Sequence, residues 1–255
     1  MTLSPSMVVT SLMLLVACDA AGPAEPVATP ERVAPTSSTE PFAPREVTVA
    51  DFPPDIHEGS WARLPTVARE SLSPEDQRAF DVVVNPDSRY ATGLRGPLGM
   101  WMYSPRLAEL MFPASSYLRY GVDGSRDQRL TELAILTVSR ELDSQYEWSA
   151  HEPLARDAGL EDGIIDLLRT GRPVTDADAP PGLGERERTI IRVARELVNE
   201  PKLSREAFVA AQALFGNDGL MDLAGLVGYY TFVNYTIKTF DVQRAPGSLL
   251  LLPMP

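Results

Sequence analysis

Apolar residues recur every three to four positions from about residue 70 to residue 240, and no stretch in this region alternates convincingly between apolar and polar residues. The first spacing is typical of amphipathic α-helices, whereas alternation would indicate half-buried strands. The pattern therefore predicts an all-α protein, a bundle built of helical hairpins. Its clearest helices are predicted over 71–84, 129–142, 144–159 and 161–171.

Glycine, proline and capping residues indicate where the helices begin and end. The stretch 85–100 is rich in Gly and Pro and is predicted to be a loop. The segment 104–121 is predicted to form two short helices with a break at Pro113, because proline lacks the amide hydrogen that a helix interior needs. Ser125 with Gln128 fits a capping box before the next helix.

Two apolar segments end the helical region, at 204–216 and 218–240. The second is apolar almost all the way round, which is typical of a central buried helix or of a contact between subunits. Asp222, Asn234 and Lys238 interrupt it and argue against a membrane span.

One pair of segments suggests an internal repeat. TELAILTVSREL at 131–142 aligns without a gap with RERTIIRVAREL at 186–197, and six of the twelve positions are identical. Because helix composition alone raises such matches, the alignment suggests a duplicated helical hairpin and does not establish one.

The first 17 residues are interpreted as a signal peptide of the lipoprotein type. The apolar run 7–17 is too short to cross a hydrocarbon core of about 30 Å as a helix, and it suits the apolar region of a signal peptide. Leu15-Val16-Ala17-Cys18 resembles a bacterial lipobox, which would make Cys18 the lipidated first residue of the mature protein. The alternative is an ordinary secretory signal with an incidental cysteine.

Residues 18–45 are rich in Ala and Pro and contain little that could be buried. Such a stretch cannot offset the entropy of ordering, so we interpret it as a disordered tether. The remaining range, 46–255, holds about 210 residues, enough for one domain with a substantial core. The expected protein is exported and touches a membrane only through its lipid anchor, at a periplasmic or cell surface.

The net charge of −12 argues against nucleic acid or an anionic lipid surface as a partner. A small-molecule substrate is expected instead. If that substrate is anionic, a protein this acidic would need a local arginine to bind it.

The segment SQYEWSAHEPLAR at 144–156 carries the candidate chemistry. On a helix, Ser144, Glu147 and His151 share one face, and a tight turn before them would bring Glu132 of the preceding helix to the other side of the imidazole. A carboxylate beside a histidine raises its pKa and fixes its tautomer, as a general acid/base requires. Pro153 is predicted to kink this helix just after His151.

The simpler interpretation is a solvated helix face or an interhelical ion pair, with no catalysis. No metal site is expected, because one histidine with carboxylates lacks the usual zinc ligands and His57 is distant in the sequence. No glycine-rich phosphate loop is present.

The stretch RLTELAILTVSRELDSQYEWSAHEPLARDAGL resembles the core of the carboxymuconolactone decarboxylase family, whose fold is shared with AhpD-like alkylhydroperoxidases. The flanking stretches GPLGMWMYSPRLAELMFPASSYLRYG and MDLAGLVGYYTFVNYTIKTFDV are similar to this family too, so the resemblance covers about residues 90–242. It implies an AhpD-like helical bundle.

The chain departs from the peroxidase branch of that fold at two positions. There, Glu is followed by Cys-x-x-Cys and then by His; here Glu132 and His151 are in register, but Ser144 and Glu147 stand where the cysteines would be. Thiol–disulfide chemistry requires thiolates. Peroxidase activity of the usual kind is therefore not expected.

The resemblance implies instead a cofactor-free, decarboxylase-like lyase acting on a small carboxylate or lactone. His151 would be the acid/base, oriented by Glu132 and Glu147. Tyr146 would donate to the developing oxyanion and Arg119 would hold a substrate carboxylate; the alternative for Arg119 is a surface arginine that pairs with an acid. The other predicted substrate-binding residues are Trp148, Tyr230 and Asn234, with Tyr229 beside them.

Two further expectations follow from the resemblance and the leader. Family members are commonly rings of subunits, which implies a homo-oligomer, a trimer or hexamer. An exported position does not suit the catabolism of muconolactones, so the substrate is expected to be another molecule. The alternative function is a non-catalytic binding lipoprotein on the same fold.

Overall fold

The computed structural model describes residues 42–86, 90–91, 94–177 and 179–254. These residues fall in one compact unit, Pro35–Pro255. The predicted signal peptide, its Cys18 and almost all of the predicted tether lie outside the described residues.

Eight α-helices make up the described fold, which confirms the predicted all-α class. In chain order they are α1 (Pro74–Val83), α2 (Pro97–Trp101), α3 (Pro105–Tyr120), α4 (Gln128–Glu141), α5 (Gln145–Asp157), α6 (Asp162–Arg169), α7 (Glu185–Asn199) and α8 (Arg205–Phe240). Two short strands, β1 (Arg45–Glu46) and β2 (Leu249–Leu250), pair antiparallel. None of the described helices has the length and apolar character needed to cross a membrane.

Helix α4 lies at the centre of the bundle and packs against α5, α7 and α8. Almost every residue from Leu130 to Arg140 is buried, including Leu133, Ile135 and Leu136, which have no exposed surface. The two segments of the suggested repeat therefore lie side by side, in α4 and α7. Burial of the apolar face stabilises such helices more than their intrinsic propensity does.

Three predicted boundaries were wrong. Helix α3 runs through Pro113 without a break, and tertiary packing of its buried face outweighs the one missing hydrogen bond. The cap of α4 is Asp127, whose side chain accepts from the Leu130 amide at 3.1 Å, and not Ser125. The predicted loop 85–100 contains the start of α2, where Pro97 occupies the first turn, a position that proline favours.

Two other predictions concern helix interiors. Helix α5 continues through Pro153 as one α-helix, and the kink predicted just after His151 stays a prediction. The long final helix α8 consists of two helical segments that meet at Gly216, whose φ of 70° is left-handed. This confirms the predicted junction between 204–216 and 218–240.

Candidate acid/base site

A tight turn joins α4 and α5 and sets their side chains opposite each other. Asp143 adopts a left-handed conformation with φ of 49°, and the Ser144 amide donates to the Ser139 carbonyl at 2.8 Å. The Ser144 hydroxyl then accepts from the Glu147 amide and caps α5. The predicted hairpin is therefore present, and it brings Glu132 of α4 against His151 of α5.

The His151 imidazole lies between two buried carboxylates. Its Nδ1 is 2.6 Å from Glu132 Oε2, and its Nε2 is 3.3 Å from Glu147 Oε2. The Tyr230 hydroxyl lies 3.3 Å from the same Nε2, and the two rings meet edge-on. All four side chains are at least nine-tenths buried, so these interactions are formed in a region of low dielectric constant.

The second oxygen of Glu132 is held by Arg119. The guanidinium Nη2 donates to Glu132 Oε1 at 3.1 Å, and both side chains are buried. Arg119 was predicted to hold a substrate carboxylate, whereas the structure pairs it with a carboxylate of the protein. Its Nε is buried and has no hydrogen-bond partner among the described residues.

Burial and charge act in opposite directions on His151. Burial disfavours the charged imidazole, but the hydrogen bonds and charges of Glu132 and Glu147 outweigh it and raise the pKa of His151 above its ordinary value of 6.5. Burial likewise raises the pKa of Glu132, but hydrogen bonds from His151 and Arg119 and their positive charges bring that pKa below its ordinary value. Each of the two groups therefore favours the charged form of the other.

Both tyrosines of the site are protonated at neutral pH. Burial raises the pKa of Tyr230 well above its ordinary value, against the opposing charge of Arg119. Burial, with the nearby charge of Glu147, raises the pKa of Tyr146 to about 12. Each tyrosine can therefore serve as a hydrogen-bond donor.

A cavity of about 290 Å³ opens onto this cluster. Among the residues that line it are Arg119, Tyr146, Glu147, His151 and Tyr230. Glu132 does not line the cavity and lies behind the imidazole. A ligand would therefore meet His151 on its Nε2 side, while Nδ1 stays on Glu132.

Tyr146 forms one wall of the cavity and closely approaches Gly96. A Cβ built at Gly96 would lie 2.1 Å from the Tyr146 hydroxyl, and Gly96 adopts a φ of 62°, which favours glycine. The Arg244 guanidinium lies over the Tyr146 ring, 5.5 Å from its centroid. The ring is therefore held between the residue before α2 and the chain after α8.

One solved structure shares this architecture. The crystal structure of an alkylhydroperoxidase AhpD core protein from Ralstonia eutropha JMP134, described as an uncharacterized peroxidase-related protein, matches with a TM-score of 0.54 at 16% sequence identity. The match covers 72% of this chain and 92% of the other. This chain has the AhpD-like fold. No protein-family model and no curated protein matches the sequence.

The AhpD-like fold places two predicted binding residues away from the cavity. Trp148 has no exposed surface and donates its indole hydrogen to Glu152 at 2.6 Å, because the residue after Glu147 points about 100° further round the helix. Asn234 is also fully buried, one turn beyond Tyr230, and its amide donates to the Tyr230 carbonyl at 2.7 Å. Neither side chain is among the described residues that line the cavity.

Several residues that line this cavity were not predicted from the sequence. Among them are Arg95, Leu98, Ser115, Leu154 and Val233. Arg95 and Leu98 come from the Gly/Pro-rich stretch that was predicted to be loop, where helical periodicity carries no information. Ser115 could have been found from its position one turn before Arg119 on the same face of α3.

Proposed function

We propose that this chain is a cofactor-independent enzyme of the carboxymuconolactone decarboxylase type, with His151 as its proton-transfer group and a small carboxylate or lactone as its substrate. One observation carries the proposal. Glu132 holds Nδ1 of a buried histidine while Nε2 borders a cavity beside Glu147 and the Tyr230 hydroxyl. A carboxylate that fixes one imidazole nitrogen leaves the other free for acid/base chemistry.

The raised pKa of His151 favours the charged imidazolium, which can act as a proton donor. Loss of carbon dioxide from a carbon next to a carbonyl group leaves its electron pair as an enolate. His151 Nε2 would deliver its proton to that carbon. The imidazole, then neutral, would keep the hydrogen on Nδ1, where it is hydrogen-bonded to Glu132, until water restores the proton on Nε2. Such a positioned proton donor typically contributes about 10²–10⁴ in rate.

The developing negative charge on the carbonyl oxygen requires a donor in the same cavity. Tyr230 is the better placed tyrosine, because its hydroxyl is 3.3 Å from His151 Nε2. Tyr146, predicted for this role, lies on the cavity wall against Gly96. Arg119 acts as a positioning residue, because it keeps Glu132 ionised and in place.

The direct test measures proton transfer without knowledge of the natural substrate. Small keto acids and carboxylated lactones would be incubated in deuterated water, and proton NMR would follow exchange at the carbon next to the carbonyl group and loss of carbon dioxide. We expect turnover of at least one of them, and its loss in the His151→Gln protein. Binding with no turnover by the wild-type protein would favour the non-catalytic binding function.

The description of the Ralstonia protein as peroxidase-related raises a second activity to be tested. The chain's single cysteine is Cys18, which cannot by itself supply a dithiol. We therefore expect no dithiol-dependent reduction of hydroperoxides. Robust hydroperoxide turnover by a Cys18→Ser protein would contradict the acid/base proposal in favour of a peroxidase.

We also propose export and lipid anchoring, supported by the lipobox-like Leu15-Val16-Ala17-Cys18 and the Pro/Ala-rich residues after it. In a bacterial host the protein should partition into detergent-extracted membranes, and Cys18→Ser should release it or leave it unprocessed. An unmodified Cys18 in the intact mass of the mature protein would refute the anchor.

Self-association is proposed from the surface of α8. Met221 and Tyr235, one on each side of Gly228, are 67% and 57% exposed, so apolar surface remains outside the bundle. We expect residues 46–255 to form a homo-oligomer, a trimer or hexamer. A monomer by light scattering at micromolar concentration would contradict this proposal.

A further inference from the structure

Two arginines, Arg95 and Arg119, line the cavity beside His151, although the chain as a whole has a net charge of −12. Glu147 is the carboxylate among its described lining residues, and Glu132 lies behind the imidazole. Glu132 pairs with Arg119, and both carboxylates contact the His151 imidazole. These pairings leave the positive charge of Arg95 for an anionic ligand to neutralise.

Arg95 is the lining cation that is available to such a ligand. Arg119 already pairs with Glu132 at 3.1 Å, and His151 is held between Glu132 and Glu147. The exposed Arg95, by contrast, makes no ion pair or hydrogen bond with any of the described residues. Its guanidinium can offer two parallel N–H groups to a carboxylate, which is the geometry that arginine favours.

The backbone next to Arg95 is fixed relative to the catalytic helix. Gly96 lies directly under the Tyr146 hydroxyl, and Tyr146 is the second residue of α5. Helix α2 begins immediately after Gly96 with Pro97. The residue before Gly96 is therefore held at the rim of the cavity that His151 borders.

The remaining wall is apolar and leaves limited room. Leu98, Leu154 and Val233 line it together with aromatic rings. The volume of about 290 Å³ lies just below the usual range for ligand pockets, about 300–1,000 Å³. The ligand is therefore a small molecule with an apolar body.

We propose that the cavity binds a small carboxylate with an apolar or aromatic body, with Arg95 binding the carboxylate at the rim and the body reaching towards His151 and Tyr230. This inference rests on the proposed acid/base function and adds its specificity residue. Arg95 takes the carboxylate-binding role that was predicted for Arg119. A neutral molecule of the same shape would leave the positive charge of Arg95 without a partner and would bind less tightly.

Three probes of nearly identical shape test the charge preference: benzoate, the neutral benzamide and the cationic benzamidine. Calorimetry on the full chain would measure their affinities, and the imidazole NMR signals of His151 would show whether they bind beside it. We expect benzoate to bind about tenfold or more tighter than benzamide, and benzamidine to bind most weakly. Arg95→Gln should remove that preference and leave the affinity for benzamide unchanged.

Arg205→Gln serves as the matched control, because Arg205 is exposed and is not among the residues that line this cavity. It should leave all three affinities unchanged. The proposal is overturned if the three probes bind equally, if none binds beside His151 at millimolar concentration, or if Arg95→Gln keeps the preference for benzoate.

The two proposals fail in different ways. A preference for benzoate that depends on Arg95, without exchange activity on any acid, would support the anion site and refute the acid/base function. Exchange activity that is lost in His151→Gln but unaffected by Arg95→Gln would support the function and overturn the anion site.

Discussion

Two buried glutamates occupy matching positions in α4 and α7. In the alignment of 131–142 with 186–197, Glu132 corresponds to Glu187. Both side chains are buried and both pair with an arginine, Glu132 with Arg119 at 3.1 Å and Glu187 with Arg129 at 2.7 Å. Their remaining oxygens differ, because Glu132 contacts the His151 imidazole, whereas Glu187 accepts from the Gly184 amide at 3.0 Å.

This difference distinguishes a structural ion pair, that of Glu187, from a candidate functional site, that of Glu132. Glu187 anchors the first turn of α7, and neither its arginine nor its backbone partner changes protonation near neutral pH. Glu132 contacts the His151 imidazole, which can change protonation near neutral pH and lies at the edge of a cavity. Burial and an arginine are therefore common to both regions, and the imidazole supplied by α5 distinguishes them.

The largest expected effect is on turnover. It tests whether the His151 imidazole distinguishes the Glu132 region from the Glu187 region. On any substrate found, His151→Gln should lower turnover by about a hundredfold or more, because it removes the only group in the cluster that can exchange a proton near neutral pH. The free energy of unfolding, measured with urea, should change far less. Arg129→Gln, which removes the arginine that pairs with Glu187 of α7, should leave turnover unchanged. Equal losses of turnover in the two variants would show that both act through folding alone.

The second prediction compares the glutamates directly. Glu132→Gln should lower turnover by about tenfold, because the imidazole loses the charge that holds its proton. Glu187→Gln should leave turnover unchanged and lower the free energy of unfolding by about 1–2 kcal/mol, the usual contribution of a hydrogen bond to a charged group. Kinetics and urea unfolding on the two proteins check this. If Glu187→Gln impaired turnover as much as Glu132→Gln, the distinction between the regions would be lost.

The pH dependence of stability should differ between the two regions as well. The folded-state pKa of His151 is raised, so its contribution is fully present below its ordinary value of 6.5 and is lost as pH rises through the raised pKa. The pKa of Glu187 is lowered by Arg129 despite burial, so its contribution is present above 4.5 and is lost only as pH falls through the lowered value.

Urea unfolding at a series of pH values would measure this difference. The destabilisation caused by Glu132→Gln should shrink as pH rises through the pKa of His151, whereas that caused by Glu187→Gln should stay constant over the same interval. A parallel decline in both variants would mean that a group other than His151 titrates there.

The hairpin was predictable because it depends on local chemistry. The apolar stripe of 129–142, a turn at Asp143 and the spacing of Glu147 and His151 suffice to bring Glu132 to the imidazole. Helix periodicity also predicted the all-α class and the junction at Gly216.

Long-range packing was not predictable in the same way. Arg95 reaches the cavity because Gly96 meets Tyr146, about fifty residues away in the sequence, and no periodic pattern encodes that contact. Trp148 was assigned to the cavity because it lies next to Glu147, but adjacent residues of a helix point in different directions. The continuity of α3 through Pro113 likewise depends on packing that a local rule for proline ignores.

The smallest expected effect concerns Glu147, which contacts Nε2 of His151 at 3.3 Å, a longer distance than the 2.6 Å between Glu132 and Nδ1. Glu147→Gln should lower the pKa of His151 by about half a unit or more, because it removes a buried negative charge that favours the imidazolium. One pKa unit corresponds to about 1.4 kcal/mol, so half a unit is readable from the NMR titration of the imidazole. Glu132→Gln should lower it further.

Two controls make the small shift interpretable. The imidazole of His57 is exposed and outside the cavity, so its signals in the same spectra provide an internal reference. Glu187→Gln removes a glutamate of the same kind in the α7 region and should leave the titration of His151 unmoved. An unmoved His151 in the Glu147→Gln protein would mean that this carboxylate does not share the site, because a charge within 3.3 Å in a buried cluster must affect the proton it faces. Helix α5 would then contribute only His151 to the acid/base pair, with Glu132 of α4 as its carboxylate, and Nε2 would be governed by the Tyr230 hydroxyl.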